Sequence, residues 1–245
     1  EMCIRDSAAI KAMEARFNRL KGEDMEKARE YLLSESADTS KYVSAQAYTD
    51  NIMNVALPSV YRFMDKVSDE IIKMYKDAGV PLATIHIGGD EVKYDQWKKS
   101  AQVRNFMKEQ NIKTPADLQI WFTNTISHYL ENKKKHMMGW NEITGVKIHD
   151  YTDFEDAASG ASLAEGTIVH FWRGDPSLIK QTVKKGYQVV NSYHEYTYLD
   201  YDTAYTSLEK AYHFDPLAGI TGKETDLIIG IGAQMWGEWI PTPSD

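Results

Sequence analysis

The sequence predicts an α/β fold built on parallel strands, and three observations predict it. Short apolar runs alternate with amphipathic stretches along most of the chain, the pattern of βαβ units. Polar and aromatic residues gather where each apolar run stops, as they do where parallel strands open onto a ligand crevice. The chain has 245 residues, 42% of them hydrophobic and 26% charged, enough to bury a full core.

Taken in order, the elements read as follows. The head Glu1-Met2-Cys3-Ile4-Arg5-Asp6-Ser7 has neither helical nor strand period and is expected to be foreign to the fold, which leaves residues 8–245 as the folded domain. Ile10, Met13, Phe17 and Leu20 mark a helix face. A short helix is expected in 23–33 and a polar loop over 34–54. A strong helix then begins near Pro58, carries the stripe Val60, Phe63, Met64, Val67, Ile71, Met74 and Ala78, and stops at Gly79 and Pro81. Strand candidates follow at 82–87, 135–140, 167–172, 187–193 and 227–235. Helices are expected between them: one starting at Thr114-Pro115, with Leu118, Trp121, Phe122, Ile126 and Tyr129 on one face, one from Asp175-Pro176 to Gly186, and one over 204–212. A closed (β/α)8 barrel takes about 250 residues and eight strands. Five strand candidates leave either a smaller open sheet or the C-terminal part of a barrel.

Composition excludes several classes. Lys plus Arg is 28 against 36 for Asp plus Glu, a formal charge of −8, which repels phosphate backbones and disfavours a nucleic-acid partner. No apolar run reaches the roughly 20 residues that span a bilayer. The single cysteine, Cys3, excludes an intramolecular disulfide framework and a cysteine-based zinc cluster within the chain. Six Trp and 15 Tyr in an acidic chain suit stacking on sugar rings as well as core packing.

The chemistry sits at the strand ends: His86-Ile87-Gly88-Gly89-Asp90-Glu91, Met138-Gly139-Trp140-Asn141-Glu142, Phe171-Trp172-Arg173-Gly174, Tyr198-Leu199-Asp200 and Gln234-Met235-Trp236-Gly237-Glu238. Carboxylates and three Trp at one mouth point to a carbohydrate site. Two adjacent carboxylates, Asp90-Glu91, are the residue types suited to general-acid work. Gly88 and Gly89 are expected to leave room for a ligand to approach the backbone. His86 shares the Asp90 face by period-2 alternation and is expected to support that Asp by a hydrogen bond. A metal site there would need further ligands, for which His170 and His194 are candidates. Glu142 is given no catalytic role. Trp97, on a loop, and Trp121, on a helix, are read as structural, and Lys133-Lys134-Lys135 as a solvated helix end.

The run His86-Ile87-Gly88-Gly89-Asp90-Glu91 resembles the His-x-Gly-Gly-Asp-Glu signature of family 20 glycoside hydrolases, the β-N-acetylhexosaminidases. Gly139-Trp140-Asn141-Glu142, Trp172-Arg173, Tyr198-Leu199-Asp200 and Trp236-Gly237-Glu238 match later strand ends in order. The resemblance implies that the five strands are strands four to eight of a partial (β/α)8 barrel, with the first three absent. It implies no cofactor and no metal, a terminal N-acetylhexosamine or chito-oligosaccharide substrate, and a workplace outside the cytoplasm. Glu91 would be the general acid and base, while Asp90 and Tyr198 orient the substrate's 2-acetamido group, which itself attacks the anomeric carbon. Trp140, Trp172 and Trp236 would wall the pocket, and Asp200 and Glu238 would bind outer hydroxyls. The family's sugar-binding Arg on the first strand and His near the end of the third have no counterpart here. Their lack admits a second reading, a non-catalytic glycan-binding remnant of such an enzyme.

Overall fold

The computed structural model describes residues 7–35, 52–146, 148 and 162–237. The chain divides into two compact units, Glu1–Ala164 and Glu165–Asp245. Among the described residues no helix is long and apolar enough to cross a membrane.

The first unit holds α1 (Ser7–Leu20), α2 (Met25–Arg29), α3 (Pro58–Asp77), β1 (Thr84–His86), α4 (Asp95–Lys99), α5 (Ala101–Glu109), α6 (Pro115–Asn132) and β2 (His136–Trp140). Strands β1 and β2 run parallel, with Ile85 opposite Met137. Ser7, placed in the foreign head by the sequence, is the first residue of α1, and the rest of that head lies outside the described residues. Most of the polar loop expected over 34–54 lies outside them too. Pro58 stands in the first turn of α3, where its missing N–H costs nothing. The far end of the α3 stripe does not reach the core, since Met74 is 67% exposed.

Helix α6 starts with a capping box. The Thr114 hydroxyl accepts the Asp117 N–H at 3.2 Å, and the Asp117 carboxylate accepts the Thr114 N–H at 3.1 Å. Its apolar face meets α3 through Tyr61, whose ring lies edge-on to Trp121 at 6.2 Å and against Phe122 at 5.8 Å. Burial pushes the Tyr61 hydroxyl well above its ordinary range, and it donates to the Val55 carbonyl at 2.6 Å. The lysine run after α6 is not merely solvated. Lys133 pairs with Asp65 at 2.9 Å and Asp69 at 2.5 Å of α3, and Lys135 donates to the Leu82 carbonyl at 2.7 Å. These contacts tie the helix end to its neighbours, so the run is structural.

The second unit holds β3 (Ile168–Phe171), α7 (Ser177–Lys184), β4 (Gln188–Asn191), α8 (His194–Thr197), α9 (Leu208–Tyr212) and β5 (Ile228–Gly230). The three strands are parallel and neighbour each other in chain order. Every residue of β3 is buried, as expected for a strand covered on both faces. Helix α9 begins four residues later than the sequence suggests, where the Ser207 hydroxyl caps it by accepting the Lys210 N–H.

A polar relay ties the three strand ends together. Ser192, just past β4, accepts the Gly232 N–H at 2.8 Å, and its Oγ lies 2.8 Å from His170 Nε2 on β3. The hydroxyl has two lone pairs and one hydrogen, so it can accept the Gly232 amide and still bond His170. Gly232 is required here, because a Cβ would lie 2.6 Å from Ser192 Oγ. Burial lowers His170 from 6.5 to about 4, and burial also lowers His194 to about 4. Between those values the unfolded chain takes up protons that the folded chain refuses, so stability is fully present above pH 6.5 and falls as pH drops toward 4. The melting temperature is expected to fall between pH 7 and 5, and to fall less in His170→Gln. Equal pH slopes for the two proteins would contradict this relay.

Candidate active site

The loop after β1 carries the Asp-Glu pair, and its backbone turns in an unusual sense. The ladder with β2 runs past the strand end: the Ile87 N–H donates to Met138 O at 2.8 Å, and the Trp140 N–H to Gly88 O at 2.9 Å. The chain then enters the left-handed region at Gly88 (φ 71°), Gly89 (φ 93°) and Glu91 (φ 48°). Glycine adopts it freely, whereas a residue with a Cβ loses about 1–2 kcal/mol there. Such strain persists only where the surroundings enforce it, and it gathers at functional sites.

The surroundings are identifiable. His86 Nδ1 accepts the Gly88 N–H at 3.0 Å. Gln119 of α6 donates from Nε2 to the Gly89 carbonyl at 2.7 Å. Glu142, buried in the 3₁₀ turn Asn141–Thr144 that follows β2, accepts the Glu91 N–H on Oε1 at 3.4 Å. His86 thus supports the loop backbone, and β1 stops at His86, so strand alternation by itself does not carry on to Asp90. Where a Cβ of Gly89 would stand the space is filled by protein, since it would meet Ile143 Cγ2 at 2.6 Å. Glu142, given no role from sequence, braces the loop.

Trp140 is buried at the end of β2, with its ring 4.9 Å from that of His86 and inclined at 64°. Asp90 and Glu91 are half-buried, which leaves them reachable while removing part of their hydration. The first unit thus brings together His86, Asp90, Glu91 and Trp140.

The second unit assembles an aromatic group. The rings of Trp172 and Tyr198 stack at 5.8 Å and 20°, and Trp236 lies 6.4 Å from Tyr198. Two backbone bonds set this arrangement: the Leu199 N–H donates to Gln234 O, and the Gln234 N–H to Thr197 O, both at 2.9 Å. They form an isolated parallel bridge between Tyr198 and Gln234, two residues from Trp236. The Arg173 guanidinium sits 5.8 Å above the Trp172 ring. Asp200 is buried, and Trp236 is 37% exposed, the open face of the group. Glu238 lies outside the described residues. Among the described residues no three His, Cys, Asp or Glu side chains are grouped so as to hold a metal ion; His170 is engaged with Ser192, and His194 faces the rings of Trp172, Tyr198 and Tyr205.

Sequence reasoning missed Gln119, Tyr94 and Ile143. The one available signal was a polar residue inside the apolar run Leu118-Gln119-Ile120-Trp121-Phe122. Trp97 is structural as read, but it lies on α4 and is fully buried. The packing at Gly89 makes a direct prediction. Gly89→Ala should destabilise the chain by about 2 kcal/mol or more, through positive φ and the clash with Ile143. Pairing it with Ile143→Ala should relieve the clash, so that the two losses are less than additive. Additive losses in urea denaturation would contradict the packing.

Comparison with known proteins places the chain in a family. The model of "Glycosyl hydrolase family 20, catalytic domain" matches residues 7–245. A β-hexosaminidase of Vibrio vulnificus is 32% identical over 96% of the chain and 31% of its own length. The N,N′-diacetylchitobiase of Vibrio harveyi is 29% identical over 98% of the chain and 34% of its own length. The solved GH20 exo β-N-acetylglucosaminidase of Vibrio harveyi, in complex with N-acetylglucosamine, aligns with a TM-score of 0.71 and 30% identity, covering 89% of the chain and 33% of that protein. The chain spans about a third of the length of these relatives. With the Gly-Gly-Asp-Glu loop, parallel βα units and this match to the catalytic-domain model over nearly all its residues, the chain belongs to glycosyl hydrolase family 20.

Proposed function

We propose that the protein carrying this chain hydrolyses terminal β-linked N-acetylhexosamine with retention, using the substrate's 2-acetamido group as nucleophile. In this reading β1 to β5 are strands four to eight of a (β/α)8 barrel, and residues 8–245 are the C-terminal portion of its catalytic domain. The observation that carries the proposal is the Asp90-Glu91 pair at the end of β1, with Glu91 held at φ 48°. The names of the relatives, a β-hexosaminidase and a diacetylchitobiase, support N-acetylglucosamine-containing substrates.

The chemistry assigns a role to each group. The acetamido oxygen attacks the anomeric carbon as the glycosidic C–O bond breaks, and Glu91 gives its proton to the leaving oxygen. Asp90 accepts the acetamido N–H and stabilises the positive charge that develops as the oxazolinium ring closes. The Tyr198 hydroxyl donates to the acetamido oxygen and fixes its direction of attack. Water then adds to the anomeric carbon while Glu91 takes its proton, and the ring opens to return the acetamide. Because the nucleophile belongs to the substrate, no second enzymic carboxylate at the short spacing of ordinary retaining enzymes is required. Trp140, Trp172 and Trp236 offer apolar faces to the sugar ring and the acetamido methyl. Asp200 and Glu238 accept hydroxyl protons from the far side of the sugar, and His86 keeps the Gly88 end of the loop in place.

Turnover of paired aryl glycosides by the natural full-length protein tests the reading. The 2-acetamido substrate should be hydrolysed, and its 2-hydroxy counterpart should react at least about a hundredfold more slowly, since it lacks the attacking atom. A thiazoline mimic of the cyclised intermediate should bind more tightly than the product sugar. Comparable rates on both glycosides would contradict substrate assistance. Binding of chito-oligosaccharide with no turnover of either glycoside would instead favour the glycan-binding remnant.

A further inference from the structure

Behind the Asp90-Glu91 pair lies a buried amide. Gln119 is 1% exposed within the apolar run of α6, where an unsatisfied amide would cost several kcal/mol. It is satisfied at both ends. Nε2 donates to the Gly89 carbonyl at 2.7 Å, and Oε1 accepts the Tyr94 hydroxyl at 2.8 Å. The first bond decides the second: the Gly89 carbonyl can only accept, so the NH₂ end faces it and Oε1 is left to accept the Tyr94 hydroxyl, which anchors the amide in that orientation. Tyr94 is itself fixed. It is 3% exposed, and its ring stacks on Trp97 at 5.6 Å and 20°. The Trp97 indole in turn donates to Met53 O at 2.9 Å.

The Gly89 carbonyl belongs to the peptide whose nitrogen is that of Asp90. Holding its oxygen therefore sets the plane of that peptide, and with it the direction in which the next two residues leave. Gly89 offers no resistance of its own, since at φ 93° it has the widest conformational freedom of any residue. The neighbouring contact at Glu91 N–H is long, 3.4 Å. The short bond from Gln119 is the stronger restraint.

We propose that Gln119 is a positioning residue for the reaction, aligning Asp90 and Glu91 through the Gly89 carbonyl, and that Tyr94 acts through Gln119 by orienting its amide. The inference rests on the proposed roles of Asp90 and Glu91. Gln119 touches the loop backbone and is assigned no contact with substrate. A residue that merely filled volume would be replaced without penalty by an apolar side chain of equal length.

The test uses the natural full-length protein, with Gln119→Met and Tyr94→Phe, on 2-acetamido glycosides carrying an activated nitrophenyl or a poor sugar leaving group. Gln119→Met should lower kcat on the poor leaving group about 10- to 100-fold, the scale of a small misplacement of a catalytic group. KM should stay within about threefold, and the loss on the nitrophenyl substrate should be smaller, because that leaving group needs little protonation. Tyr94→Phe should show the same skew at about 3- to 10-fold, and the double variant should be no slower than Gln119→Met alone. Unchanged kcat, equal losses on both substrates or multiplicative losses in the double variant would overturn the inference. If circular dichroism shows Gln119→Met unfolded, Tyr94→Phe decides alone: a skewed loss supports the inference, and an equal or absent loss overturns it. An active parent with unskewed variants overturns this inference only, whereas an inactive parent overturns the proposed function and this inference with it.

Discussion

A carboxylate residue in left-handed backbone at the end of a parallel strand is the constraint on which the first unit depends. Glu91 at φ 48° would relax to an ordinary conformation if the loop were free, at a gain of about 1–2 kcal/mol. It does not relax because the loop is gripped along its length. The β2 ladder takes the Gly88 carbonyl, His86 takes the Gly88 N–H, Gln119 takes the Gly89 carbonyl, and Glu142 takes the Glu91 N–H. Side-chain packing closes the remaining side. A Cβ at Gly139 would stand 2.9 Å from the Gly88 carbonyl and 3.0 Å from Ile143 Cγ2, so bare backbone is needed where β2 approaches the loop. Pre-organisation of this kind lowers a reaction barrier because the catalytic groups need no reordering when charge develops.

The second unit solves a related problem with different means. Its aromatic group is aligned by a two-bond backbone bridge at Tyr198 and Gln234, and the strand ends beneath it are joined through His170, Ser192 and Gly232. Burial holds the His170 imidazole neutral beside Ser192. The same buried geometry that orders the strand ends therefore makes the unit sensitive to acid.

The strands and the Asp-Glu pair were legible in the sequence, because apolar runs and strand-end polarity are local signals. All five strand candidates contain a strand, though each is shorter than its apolar run. Pro81 and the positive φ of Gly88 and Gly89 bound β1, and the register shift between Val189 and Val190 bends the pairing of β5. What was not legible is what depends on approach between distant segments. Nothing local in Leu118-Gln119-Ile120 says that the amide meets a carbonyl 30 residues earlier. The glycines stand out in the sequence, but that Gly89 makes room for Ile143 is visible only in the fold. Helices α4 and α5 were not anticipated from the sequence. Their boundary is a single residue, Ser100, whose hydroxyl caps α5 by accepting the Val103 N–H at 3.1 Å.

We propose that this gripped loop presents Glu91 as the acid that protonates the leaving oxygen. The most direct measurement is kcat/KM of the full-length protein and its Glu91→Gln variant across aryl 2-acetamido glycosides of graded leaving-group pKa. A general acid matters more as the leaving group becomes more basic. If Glu91 is that acid, kcat/KM declines much more steeply with leaving-group pKa in the variant than in the parent, and the two converge for the most acidic phenols. Parallel dependences, with the variant uniformly slower, would contradict it.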